Sequence, residues 1–527
     1  MQILSAIKKY KTQLFFFCLF AVIAALYSQS LKYDYTYIDD DVLVLHNYDF
    51  ISDYKNIPKF FLKSAFYSGS GSFYRPVLTL SFAIDAMIAG KNPFMYHLSG
   101  ILLHIASVFL LFIFLRKLEF NETLSFLFTM LFALHPAFAH AVAWIPGRND
   151  LLLSVFTLLS LIFLFDYYKN EKKDILKMVL SIFLFAIAVF TKESAVVMIA
   201  VMPAFMFLFC KNVSKKDYIT VFISAFLICC VYMALRSFVL TGGMMHGAAF
   251  SIVKALKSFL IYCEYMITPH RIYLFPEKID LNFFTFFGCL IFFAPLAASL
   301  FFNIGRKRIV LFGAFWFLAF LVPSFMASNY VISLLPHRLY AASAGFIIMF
   351  IEFFSSAAQK IKPAKKYIIF MLAVITVLFA FASYAQVKKF QNKYVYLSYA
   401  LNEQPQSQIL RLLMAQYYAD NGKYEEAKRE IFGIKSNDGT YSVQYYEILG
   451  YVYSLEGSYE RATEIFDKLL EMFPGHESSL NNLSQIYFLK GEYDKALVYS
   501  EMLIAIRPEH SAYRKQYAKI RAKIEKD

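Results

Sequence analysis

Charge is scarce in this chain. Only 17% of its 527 residues are Asp, Glu, Lys or Arg, while 59% are hydrophobic and 19% aromatic. A soluble domain carries roughly 25% charged residues, so the shortage excludes a chain that folds wholly in water. Cysteine is sparse as well: six residues, at 18, 210, 229, 230, 263 and 289, all in apolar surroundings. Neither a disulfide framework nor zinc spacing is present, and they read as small core hydrophobes. The first apolar run ends in "YSQSLKYDY" without a small-residue cleavage pattern, which argues against a removable signal peptide. Duplicated halves of the kind transporters carry are missing. So is any nucleic-acid signal: the formal charge is +14, but many of the basic residues sit in short clusters between apolar runs, as in proteins oriented across a membrane.

What the chain has instead is long apolar segments, several exceeding the 18 residues that mark a transmembrane candidate. They fall near 13–29, 97–115, 123–140, 151–167, 175–191, 194–210, 218–236, 283–302, 309–326, 339–355 and 367–386. With these eleven as spans, "KKYK" before the first, "RK" at 116–117, "KNEKK" at 169–173, "KNVSKK" at 211–216, "GRKR" at 305–308 and "KIKPAKK" at 360–366 all lie on the cytoplasmic side. A twelfth candidate, 252–267, contains Lys254, Lys257 and Glu264; spanning there would put the last two clusters outside, so it reads as interfacial or re-entrant. The amino terminus is then expected inside. Segments 30–96, 137–150, 191–194, 237–282, 327–338 and everything after about 387 are expected outside.

Near residue 400 the chain turns polar and repetitive. Aligning "YYADNGKYEEAKREI", "YVYSLEGSYERATEIF" and "QIYFLKGEYDKALVYS" superimposes Gly422, Gly457 and Gly491, then Tyr424, Tyr459 and Tyr493, then Ala427, Ala462 and Ala496. A helical-hairpin repeat of this period, with Ala at the crossings and Pro474 and Pro508 closing second helices, resembles the tetratricopeptide repeat. Units at about 407–440, 441–474 and 475–508 with a charged helix at 509–527 predict a short α-solenoid over 400–527 that contacts a protein or peptide partner. The expected fold class is all-α: a polytopic membrane domain over 1–390, then the solenoid.

One early segment is unusual. "YTYIDDDVLVLHN" sets Asp39, Asp40 and Asp41 side by side between apolar flanks. Carboxylates packed this closely do not all ionise cheaply, so at least one pKa should rise, giving a proton acceptor of tuned basicity. The same expected external loop supplies Arg75 ahead of an apolar, amphipathic helix. His97 and His104, seven residues apart, share one face of the second span. Ionisable groups near lipid are functional candidates. The blander readings are an ion pair for Lys192–Glu193 and an interface anchor for Trp144.

In order along the chain stand "IDDDVLVLHN", "FYRPVLTLSFAID", "YHLSGILLH", "LHPAFAHAVAWIPGRNDLLL", "FTKESAVVM" and "PHRLYAASAGF", followed by the repeats. The ordered set resembles the repeat-bearing multispan glycosyltransferases of the GT-C class, relatives of the protein O-mannosyltransferases and the TMTC-type O-mannosyltransferases. The resemblance implies an inverting sugar transferase that uses a polyprenyl-phosphate-linked donor at the outer membrane face, with hydroxyls of exported proteins as acceptors. It implies catalytic carboxylates at Asp39 and Asp40, one taking the acceptor proton. For the departing lipid phosphate it implies cations, with Arg75, Arg148, Lys192 and Arg338 as candidates beside His97 and His104. No cofactor is expected, and no metal ligand set stands out. The chain departs from the relatives' pattern at His140 and His337, where they often carry acids. A glycolipid or polysaccharide acceptor, a non-catalytic membrane scaffold and a flippase are the competing readings.

Overall fold

The computed structural model describes residues 10–66, 73–169, 173–240, 251–277, 280–326, 334–360, 364–435, 442–508 and 511–525. Parts of the basic loops at 169–173 and 360–366, and of the expected outer segments 237–282 and 327–338, lie outside these residues. Of the described residues 82% are helical and none forms a strand. Two compact units make it up, Met1–Tyr396 and Leu397–Asp527.

Among the described residues of the first unit, eight helices are long and apolar enough to cross a membrane: Lys11–Lys32, Pro93–Lys117, Ile145–Lys169, Lys215–Val239, Phe283–Phe302, Lys307–Met326, Pro336–Lys360 and Ala364–Lys388. The chain is thus a multipass membrane protein. The segment expected at 123–140 is broken into Glu122–Ala133 and Pro136–Val142, bent by 49°, and counts as a ninth only if the pair is one span. The segments at 175–191 and 194–210 form the shorter helices Ile175–Thr191 and Glu193–Phe209. Length and composition therefore certify eight or nine of the eleven expected spans, because a 17-residue helix such as Ile175–Thr191 rises only about 25 Å, short of a hydrocarbon core of about 30 Å.

The bend has a local cause. Pro136 has no N–H to continue a helical ladder, and the carbonyls freed at the break must find other donors in a dry interior. Ser383 Oγ–H donates to Leu134 O at 2.6 Å. His104 Nε2 lies 3.1 Å from Ala133 O, and its Nδ1 lies 2.7 Å from the Tyr340 hydroxyl. Since a carbonyl only accepts, Nε2 carries the proton and Nδ1 accepts from Tyr340.

Helix Ile252–Ile267 is two-faced: Ile252, Val253 and Leu256 are exposed, while Ile261, Tyr262, Cys263 and Glu264 are buried. Helices Lys307–Met326 and Leu339–Lys360 cross at Gly313 and Gly345. A Cβ on Gly313 would lie 2.6 Å from Gly345 O, so only glycine permits this approach. The crossing fixes the helix that directly follows the turn Pro336–Arg338, which carries His337 and Arg338.

The second unit consists of paired helices: Gln408–Asp420 with Tyr424–Phe432, Val443–Glu456 with Tyr459–Met472, and Glu477–Leu489 with Tyr493–Ile506, followed by Ser511–Ile524. Gly422, Gly457 and Gly491 sit at the hairpin turns with φ of 73°, 85° and 78°, a left-handed backbone that glycine adopts without steric cost. Ala427, Ala462 and Ala496 are fully buried.

Candidate functional site

The aspartate segment is a strained, pinned loop. Tyr37 and Asp39 both have left-handed backbone, φ 56° and 69°, a conformation that non-glycine residues hold only where the surroundings impose it. Asp40 imposes much of it. Its side chain is buried and accepts from the Thr36 N–H at 2.8 Å, the Thr36 hydroxyl at 3.0 Å and the Ile38 N–H at 3.1 Å. From a distant helix start, Trp144 Nε1–H donates to Ile38 O at 3.0 Å. Trp144 is itself buried, so it serves as a loop clamp and not as an interface anchor. Asp40 is buried, whereas its neighbour Asp39 is exposed.

Both carboxyls titrate above the ordinary range. Partial loss of hydration among the surrounding protein pushes Asp39 up to about 6, helped by the charge of Asp41 and opposed by Arg75. Burial pushes Asp40 up to about 7 against the hydrogen bonds from Thr36, with Asp41 adding a little. A carboxylate lifted to about 6 beside a cation is basic enough to accept a proton near neutrality, yet remains ionised there.

The cations come next. Arg75 makes a two-pronged pair with Glu193, Nε to Oε2 at 3.0 Å and Nη2 to Oε1 at 2.6 Å, with its guanidinium 4.2 Å above the Phe73 ring. Lys192 Nζ lies 2.7 Å from both carboxylate oxygens of Asp150. The two adjacent residues of "TKES" therefore do not pair with each other: Lys192 takes Asp150 and Glu193 takes Arg75. Asp150 also feels the charges of Arg75 and Arg338, and His337 Nε2 stands 3.9 Å from its Oδ2. Asp39, Arg75, Asp150, Lys192, Glu193, His337 and Arg338 thus form one polar neighbourhood. Its shape depends on Gly147, where a Cβ would collide with the His140 carbonyl.

Three expected site residues lie elsewhere in character. Arg148, expected to face a donor phosphate, is 1% exposed and neutralised by Asp85 at 2.6 Å; it also donates to Tyr96 O at 2.7 Å and Ser81 O at 3.2 Å. That cation is spent on holding helices Pro76–Ala89, Pro93–Lys117 and Arg148–Lys169 together. His104 is fully buried with both ring nitrogens engaged, as described above. His97 is buried against the edge of Tyr33, 6.2 Å between ring centres. All three are buried; Arg148 and His104 are engaged by protein groups, whereas neither ring nitrogen of His97 has a hydrogen-bond partner among the described residues. Among the described residues, no three His, Cys, Asp or Glu side chains converge to hold a metal ion.

Sequence reasoning passed over Asp150 and Thr36. Asp150 stands two residues after Arg148 in "PGRND", a visible signal. Thr36 gave none, because its role depends on a turn that the sequence does not display.

A tetratricopeptide-repeat family profile matches residues 454–520. The chain is 38% identical over 142 residues to "Protein O-mannosyl-transferase TMTC2" of Mus musculus, a stretch covering 26% of this chain and 17% of that protein. It is 38% identical over 94 residues to "Protein O-mannosyl-transferase TMTC1" of Mus musculus, covering 18% and 10%. With "Protein O-mannosyl-transferase Tmtc1" of Drosophila melanogaster the identity is 33% over 129 residues, covering 24% and 15%. In each case the chain spans less than a fifth of the relative's own length. The chain therefore resembles the TMTC-type protein O-mannosyl-transferases, with tetratricopeptide repeats toward its carboxyl end.

Proposed function

We propose that the protein is a membrane sugar transferase of the GT-C class that O-glycosylates exported proteins at the non-cytoplasmic face, drawing on a polyprenyl-phosphate-linked donor, with mannose as the sugar. The single observation that carries this reading is Asp39: an accessible carboxylate of raised basicity, held in left-handed backbone within electrostatic reach of Arg75. Asp39 takes the proton of the acceptor hydroxyl as that oxygen attacks the anomeric carbon. The bond from that carbon to the phosphate oxygen breaks with inversion, and its electron pair leaves on the lipid phosphate. Arg75, Lys192 and Arg338 meet the growing negative charge. Glu193 and Asp150 keep the first two aimed, and Asp40 holds the loop instead of sharing the proton transfer.

The names of the similar proteins support a polypeptide acceptor, and the basic clusters support an inward amino terminus with the repeats outside. The repeats then hold acceptor polypeptide or an assembly partner. The test is polyprenol-dependent sugar transfer by purified protein, wild type beside Asp39→Asn and Asp40→Asn. A large loss in Asp39→Asn is expected; unchanged transfer in both variants overturns the assignment.

A further inference from the structure

Away from the aspartate loop lies a cavity of about 290 Å³ between helices Glu122–Ala133, Ile252–Ile267, Phe283–Phe302, Leu339–Lys360 and Ala364–Lys388. Its walls are Phe, Leu, Ile and Met apart from His135, Thr268 and Ser343, and those three turn their polarity into the backbone. His135 Nε2–H donates to Met266 O at 3.2 Å, while its Nδ1 accepts from the Ala137 N–H at 3.3 Å. Ser343 Oγ–H donates to Tyr340 O at 2.6 Å, and Thr268 Oγ1–H to Glu264 O at 3.3 Å. Water entering this space meets almost no hydrogen-bond partner, so the cavity favours hydrocarbon.

One edge is different. Just past Thr268 stand His270 and Arg271, with side chains 37% and 28% exposed. The His270 ring packs 4.2 Å from Phe284, one helical turn from Phe287 in the cavity wall. Arg271 is steered but loosely held: Nε and Nη2 each lie 3.4 Å from Glu264 Oε1, and Nη2 lies 3.3 Å from Asp280 O. The buried Glu264 carboxylate has a closer partner in the Thr285 hydroxyl. A dry apolar chamber with an accessible guanidinium and imidazole at its rim is complementary to one ligand class.

We infer that this cavity binds a lipid phosphate, its alkyl or isoprenoid chain among Phe287, Ile347 and Leu372 and its anionic head on Arg271 and His270. The site is separate from the Asp39 neighbourhood and does not depend on the transferase reading. A diacyl phospholipid and a polyprenyl phosphate share this chemistry.

The test uses full-length protein in nanodiscs and an alkyl phosphate bearing a photoreactive diazirine in its chain, with labelled peptides located by mass spectrometry. Adducts on 283–302 or 339–360 are expected. An unlabelled alkyl phosphate should compete about tenfold better than the alcohol of equal chain length, the worth of one charge-assisted hydrogen bond, and Arg271→Gln should remove that advantage. Ile347→Trp should abolish labelling; Ser343→Phe repeats the blockade from a second position should the first lower the melting temperature. Competition by phosphatidic acid or by polyprenyl phosphate supports the site and names its source. Labelling spread outside the cavity, or undiminished in a blocked variant that melts like wild type, overturns the inference. Asp39→Asn should leave labelling unchanged, so failure of the transferase reading and failure of this one are told apart.

Discussion

The two units of the chain treat charge differently. In Leu397–Asp527 opposite charges meet at the surface: Lys428 lies 2.6 Å from Glu425 and 2.7 Å from Glu456, and the Glu425 side chain is 77% exposed. Met1–Tyr396 holds such surface pairs too, but it also seals two: Lys192–Asp150 with side chains 10% and 2% exposed, and Arg148–Asp85 with 2% and 3%. Water competes for every surface pair, which leaves each one little net worth. A sealed pair adds little over a hydrophobic match but makes each partner indispensable to the other, because losing one strands a buried charge. Sealed pairs therefore act as positioning devices, and one of the two, Lys192–Asp150, stands in the candidate site.

The sharpest way to break this contrast is Asp39→Asn. Loss of a general base should cut sugar transfer on the order of 10²–10⁴-fold, with the melting temperature unchanged because the Asp39 side chain is accessible. A parallel fall in stability would make Asp39 a structural residue. Next in size, Lys192→Met should destabilise the fold by about 3–5 kcal/mol, and the double variant Lys192→Met/Asp150→Leu should recover most of that in thermal melts while remaining inactive. A Lys192→Met protein as stable as wild type would mean that the pair is hydrated.

The same contrast is written into pH dependence. Transfer should rise through pH 6–7 and level off above, since Asp39, raised to about 6, must be ionised to act. Asp40, raised to about 7 in the folded protein, binds a proton there that the unfolded chain releases down to the ordinary carboxylate value of about 4. Lowering pH from about 7 toward 4 should therefore strengthen this part of the fold, opposite in sign to a salt-bridged carboxylate. Thermal melts of wild type against Asp40→Asn read this term, and a slope unchanged by the substitution sinks it. In the repeats the effects are smaller. Gly457→Ala, at φ 85°, should cost roughly 1–2 kcal/mol. Lys428→Ala should cost less than about 1 kcal/mol despite its two close partners.

Legibility followed the range of the interactions. The solenoid could be read because its determinants are local and recur: a glycine for each left-handed turn, then an alanine for each crossing. Most of the apolar helices were legible for the same reason. At the aspartate loop, charge density marked the spot but left the two carboxylates interchangeable, since what separates them is a hydrogen bond to Thr36 and a clamp from Trp144 at the far end of another loop. The blander reading of Lys192 and Glu193 as a pair rested on adjacency in sequence, whereas the backbone sends their side chains to Asp150 and Arg75. The partner of Arg148 was hidden for a related reason: Asp85 lies on a helix that sequence alone does not bring near it.

The kink between Ala133 and Pro136 has a consequence for how this membrane unit can move. Its two orphaned carbonyls are riveted by His104 and Ser383, side chains from two further helices, so three segments share one joint. Straightening is blocked by the proline ring, and unfastening either rivet would strand a carbonyl where no solvent can rescue it. The stretch leading to His140 and Trp144 is thereby anchored at its root, and any opening that admits a bulky lipid head has to come from other walls of the chamber.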